Sequence, residues 1–103
     1  MARYRVLIYD NTYYGDESER IDYGVFANAD EAVAVSKKIV DDDLNAMWQP
    51  SMTAADLYQL YVSWGPDPVV LPLNPNDPRV IFSAWPYAKA RCRDVVASRA
   101  RLH

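Results

Sequence analysis

The first block of apolar residues, Val6-Leu7-Ile8-Tyr9, sits in a β-branched and aromatic stretch over residues 3–9, which predicts a strand. Residues 10–19 are polar, contain Gly15 and read as a loop. Over residues 20–27, Ile21, Tyr23 and Val25 alternate with Asp22, Gly24 and Phe26, the period of a second strand. Two strands joined by a loop of this length most simply form an antiparallel hairpin. The period then changes. Asn28 has the chemistry of a helix N-cap, with Glu31 three residues on. At about 100° per residue, Ala29, Ala32, Val33, Ile39, Val40, Leu44 and Met47 share one face, so a helix is predicted over residues 29–47. Asp43 falls inside that apolar arc. Either the helix stops before Met47 or this carboxylate has a partner, because an unpaired buried charge is costly.

Pro50 interrupts the chain, and Thr53 with Asp56 opens a second helix. Met52 and Leu57 have the spacing of a hydrophobic staple, and Leu57, Leu60, Tyr61 and Trp64 form the apolar stripe. Gly65-Pro66 is a stop signal. Residues 67–79 hold four prolines. Val69-Val70-Leu71 is a third strand that Pro72 either ends or confines to an edge. Residues 74–78 carry turn chemistry, and Val80-Ile81-Phe82 is a short fourth strand or an extended lead-in to the next helix. Ser83 caps that last helix, Phe82 and Tyr87 are staple-spaced, and Pro86 lies in the first turn, where its missing N–H is harmless. Ala84, Trp85, Ala88, Cys92, Val95, Val96 and Leu102 line its apolar face. The order β-β-α-α-β-(β)-α predicts one α+β domain over residues 1–103. It is a two-layer sandwich of three helices on an antiparallel sheet of three to four strands.

Size and composition agree with that picture. The chain has 103 residues, half of them hydrophobic, enough to bury a core without disulfides or metal. No apolar run approaches the roughly 20 residues of a membrane helix. The first 25 residues lack the apolar stretch of a signal peptide. With a lone cysteine, these features predict a cytoplasmic protein. The net charge of -3 is unevenly spread: residues 10–67 hold twelve acids and three bases, residues 79–103 six bases and one acid. Mutual attraction of the two halves accounts for this; a basic face for an acidic partner is the sharper alternative.

The residue set excludes several chemistries. The one histidine, His103, is the last residue, so Ser-His-Asp and Cys-His arrangements lack a well-placed base. One cysteine and one histidine cannot make a zinc site. Three scattered glycines make neither a P-loop nor a dinucleotide fingerprint. Cys92, on an apolar stripe, reads as a buried structural thiol. Asp10, Asp16, Glu17 and Glu19 could offer oxygen ligands to a hard cation, but a solvated acidic loop is the better reading of them. Asp41-Asp42-Asp43 points around a helix and makes a poor metal cage. No cofactor is expected.

Several stretches together carry a resemblance: residues 16–20 (DESER), 37–41 (KKIVD), 52–58 (MTAADLY), 65–68 (GPDP), and Phe82-Ser83-Ala84-Trp85 followed by Tyr87-Ala88 and Arg91-Cys92. They are similar to a group of small bacterial proteins of unknown function, and the likeness covers most of the chain. It implies a shared fold and a cytoplasmic bacterial setting, and no activity. Pro86 and Asp43 depart from the pattern.

Three functions follow as expectations. The first is a non-enzymatic protein-interaction or accessory module using an aromatic and acidic surface of Tyr13, Tyr14, Asp16, Glu17 and Trp48, since exposed aromatics mark binding surfaces. Its partner would be an unknown protein, or the chain itself in a weak homo-dimer; otherwise it is a monomer. The second is nucleic-acid binding through Lys89, Arg91, Arg93, Arg99 and Arg101 on the last helix, against which stand the acidic net charge and the lack of a reader motif. The third is a small carboxylate- or cation-dependent enzyme, for which no acid pair stands out. The balance leans away from an enzyme, and no membrane partner is expected.

Overall fold

The computed structural model describes residues 3–10 and 21–100. It is an α+β fold of three helices and one three-stranded antiparallel sheet. Strands β1 (Tyr4–Asp10) and β2 (Ile21–Phe26) precede helices α1 (Ala29–Met47) and α2 (Ala54–Trp64); β3 (Pro66–Pro72) and α3 (Ala84–Ala100) follow. The sheet order is β2-β1-β3, so the hairpin strand β1 lies in the centre. β2 carries a bulge opposite Val6 and Leu7, next to Gly24. Gly24 has φ 147°, a backbone conformation that a side chain would resist.

β3 begins at Pro66, three residues earlier than its apolar run suggests, and it is an edge strand. The three prolines explain both facts. Pro66, Pro68 and Pro72 share one parity, so their missing N–H groups fall on the same side of the strand. Asp67, Val69 and Leu71 keep the N–H groups for the ladder with β1, and Leu73 continues it by donating to the Arg3 carbonyl at 3.0 Å. The chain is extended over Val80-Ile81-Phe82 without strand pairing, so there is no fourth strand among the described residues.

The starts of α1 and α2 form as the sequence predicts. The Asn28 side chain accepts the Glu31 N–H at 2.8 Å. Thr53 and Asp56 make a reciprocal capping box, and the Thr53 backbone N–H holds the Asp56 carboxyl below the usual carboxylate range. α1 runs through to Met47, with Asp43 half-buried and engaged by a polar or electrostatic partner. At the end of α2, Gly65 packs under the buried Tyr61 ring, whose hydroxyl donates to the Pro66 carbonyl.

α1 serves two clusters. Its first half packs Ala32 with Val33 and Ile39 against Tyr4 and Val6 of β1 and Val70 of β3. Its second half packs Val40 and Leu44 against Leu57 and Tyr61 of α2 and Ala84, Ala88, Cys92 and Val95 of α3. Ser36 lies between the two, fully buried, its hydroxyl donating to the Ala32 carbonyl one turn back at 2.9 Å. Phe82 touches both clusters. Trp64, predicted to face the core, is instead 61% exposed. The inward stripe of α2 runs through Ala54, Leu57, Tyr58, Tyr61 and Val62, rotated away from Trp64, which ends the helix.

Candidate functional site

Each predicted site residue has a definite place or lies outside the described residues. Tyr13, Tyr14, Asp16 and Glu17 lie outside them, as does Arg101. Trp48 follows α1 directly as its C-cap; it is half-buried, packs against the helical cluster, and carries the Arg99 guanidinium 5.4 Å from its ring.

The basic residues of α3 divide into two sets. Arg91 donates through Nε to Asp41 at 2.9 Å and through Nη1 to Asp94 at 3.0 Å. Arg99 donates to Asn45 at 3.3 Å besides covering Trp48. These two arginines fasten α3 to α1. Lys89 and Arg93, spaced i and i+4, lie on another side of the helix, turned towards α2. With Ala54, Ala55, Tyr58 and Gln59 they line a groove of about 350 Å³ between α2 and α3.

The Arg91 contact belongs to a wider clasp. The Tyr87 hydroxyl donates to both carboxylate oxygens of Asp41, at 2.9 and 3.1 Å, and Lys37 lies 5.5 Å from the Tyr87 ring centre. Burial, and then the hydrogen bond to Asp41, pushes the Tyr87 phenol up to about 12. The three consecutive aspartates thus have three settings: Asp41 joins α1 to α3, Asp42 pairs with Lys38 at 2.7 Å on the surface, and Asp43 is half-buried. Among the described residues no three His, Cys, Asp or Glu side chains are grouped to hold a metal ion. Cys92 is completely buried, and burial pushes its thiol up to about 11, so it is no nucleophile in the folded chain.

The sheet has a surface that the sequence reading passed over. Alternation puts Tyr4, Val6, Val70 and Phe26 towards α1, and Arg5, Leu7, Val25, Val69 and Leu71 on the opposite face. Large apolar side chains are exposed along both outer strands: Ile21 (61%), Tyr23 (52%) and Val25 (43%) on β2, Leu71 (39%) on β3, and Leu73 just beyond it. Arg5 and Asp22 form a loose ion pair at 3.4 Å among them. The alternation over residues 21–25 was visible in the sequence, but it does not carry through the strand: the bulge at Tyr23 leaves Val25 opposite Arg5 on the outer face and Ile21 opposite Ile8, on the side of Tyr4 and Val6. The two outer strands also differ. β3 turns a proline-blocked edge outwards, whereas β2 contains no proline.

Among the described residues, no helix is long and apolar enough to cross a membrane. No family model, no curated protein and no solved structure matches the chain.

Proposed function

We propose that the protein is a non-enzymatic interaction module that binds a protein partner through the β2 side of its sheet. The observation that carries this reading is the exposure of Ile21, Tyr23 and Val25, each more than 40% exposed on an edge strand whose bulge spreads them over both faces. Exposed apolar side chains on a strand with no outer neighbour among the described residues attract a further strand or an apolar surface. β3 is blocked by three prolines, whereas β2 has none and carries only Asp22 and the bulge. The clasp at Asp41, the cover on Trp48 and the burial of Cys92 each tie their groups into the scaffold, which leaves the described residues without an evident catalytic constellation.

Site-specific photocrosslinking tests this reading. A benzophenone side chain at Tyr23 should give a discrete protein adduct in cells, or a crosslinked dimer with purified protein. The same group at Asn76, in the exposed turn after β3, should give neither. Changing Ile21 and Val25 to Lys should abolish the Tyr23 adduct while leaving the circular dichroism spectrum unchanged. Equal labelling from both positions, or none from Tyr23, refutes the assignment.

A further inference from the structure

The groove between α2 and α3 is built from contrasting parts. Ala54 and Ala55 are small, so this stretch of α2 leaves room beside it, and the Tyr58 ring is half-buried there. Tyr58, Gln59, Lys89 and Arg93 complete a mainly apolar lining, the last three being exposed side chains with an amide, an ammonium and a guanidinium. Among the described residues none of these four side chains has a hydrogen-bond or ion-pair partner. The contrast within α3 is sharp, since Arg91 and Arg99 are both engaged with α1 or the chain that follows it. Two cations one helical turn apart, with no partner among the described residues, in a chain of net charge -3, make a local positive spot on an acidic molecule.

Small-molecule sites combine an apolar lining with a few convergent polar groups, and about 350 Å³ is within the usual range of roughly 300–1,000 Å³. We propose that this groove binds a small anionic ligand, a carboxylate or phosphate joined to a flat apolar body. Arg93 takes the anionic head through its planar fork, Lys89 adds a second charge, and the body lies over Ala55 and against the Tyr58 ring. Tyr58 and Gln59 set the orientation by hydrogen bonding at the rim. This site is separate from the exposed side chains on β2 and does not depend on them.

Two-dimensional amide NMR with benzoate, phenyl phosphate and inorganic phosphate as probes, on the full chain, decides the matter. Benzoate or phenyl phosphate at up to about 1 mM should shift the amides of Ala54, Ala55, Tyr58, Lys89 and Arg93 saturably. The stronger of the two identifies the head group. Arg93→Ala and Lys89→Ala should each weaken binding about tenfold, the scale of one charge-assisted hydrogen bond. Arg99→Ala should leave it unchanged. Ala55→Leu, a good helix former at an exposed position, should block both aromatic probes by filling the floor. The proposal is overturned if no probe shifts these amides. It is equally overturned if inorganic phosphate shifts them as strongly as phenyl phosphate and Ala55→Leu changes nothing, because charge alone then explains the effect.

Discussion

Replacing Asp41 with alanine removes the acceptor of the Tyr87 hydroxyl and of Arg91 Nε in one step. The Asp41 and Arg91 side chains are 28% and 34% exposed, between a buried ion pair and a surface one. A hydrogen bond to a charged group contributes about 1.5–3 kcal/mol when well sheltered; the partial exposure here favours about 1.5 kcal/mol for the phenol. The guanidinium adds about 0.5 kcal/mol, since Arg91 keeps Asp94 at 3.0 Å. Alanine's higher helix propensity returns up to about 0.7 kcal/mol. The expected loss is therefore about 1.5 kcal/mol, a fall in Tm of roughly 6–12 °C for a domain of this size. Asp42→Ala is the control. Its ion pair with Lys38 has side chains 73% and 66% exposed, so water and salt screen it and no fall in Tm is expected. A double-mutant cycle of Asp41→Ala with Tyr87→Phe, followed by urea denaturation, should give a coupling near 1 kcal/mol or more, about the size of one hydrogen bond. The same clasp predicts an alkaline signature. The Tyr87 phenol is raised from 10.0 to about 12 in the folded chain, so its contribution is complete below pH 10 and is lost as the pH climbs through 12. Wild type should lose more stability over that interval than Tyr87→Phe. If Asp41→Ala costs no more than Asp42→Ala, or the cycle is additive, the clasp does not hold the helices together.

Gly65→Ala should destabilise by about 1–3 kcal/mol, the range of an overpacked core. The new Cβ would lie 2.5 Å from Tyr61 Cδ1 and 2.8 Å from the Tyr61 carbonyl oxygen, and φ at -81° is ordinary, so the cost is purely steric. Because Gly-to-Ala changes at such backbone angles otherwise stabilise, a rise in Tm would refute this. Cys92 should be silent to Ellman's reagent in the native protein and should titrate as one thiol per chain in guanidinium chloride; rapid native labelling would show the helical cluster to be open.

Local chemistry made much of this fold legible in the sequence. Asn28, Thr53 and Gly65-Pro66 act on residues a turn away, so the limits of α1 and α2 follow from nearest neighbours. The prediction weakens where a partner is distant. A helical stripe shows that a face is apolar without showing what it meets, so the division of α1 between sheet and helices was hidden, and so was the rotation of α2 that exposes Trp64. The arginines of α3 look alike in sequence. What separates Arg91 from Arg93 is Asp41, fifty positions before Arg91. Val80-Ile81-Phe82 has strand composition but no strand to pair with among the described residues, and composition cannot supply one. Tyr13, Tyr14, Asp16 and Glu17 lie outside the described residues.

The parity of the three prolines on β3 has a consequence for assembly. Molecules that join edge to edge can extend into a filament only if each presents two receptive borders, one for the molecule before it and one for the molecule after. Here one border lacks its donors at Pro66, Pro68 and Pro72, so strand pairing through the remaining border ends once it is satisfied. Were β2 to pair with another strand as proposed, that pairing would stop at one partner, because the opposite border offers too few donors to continue it.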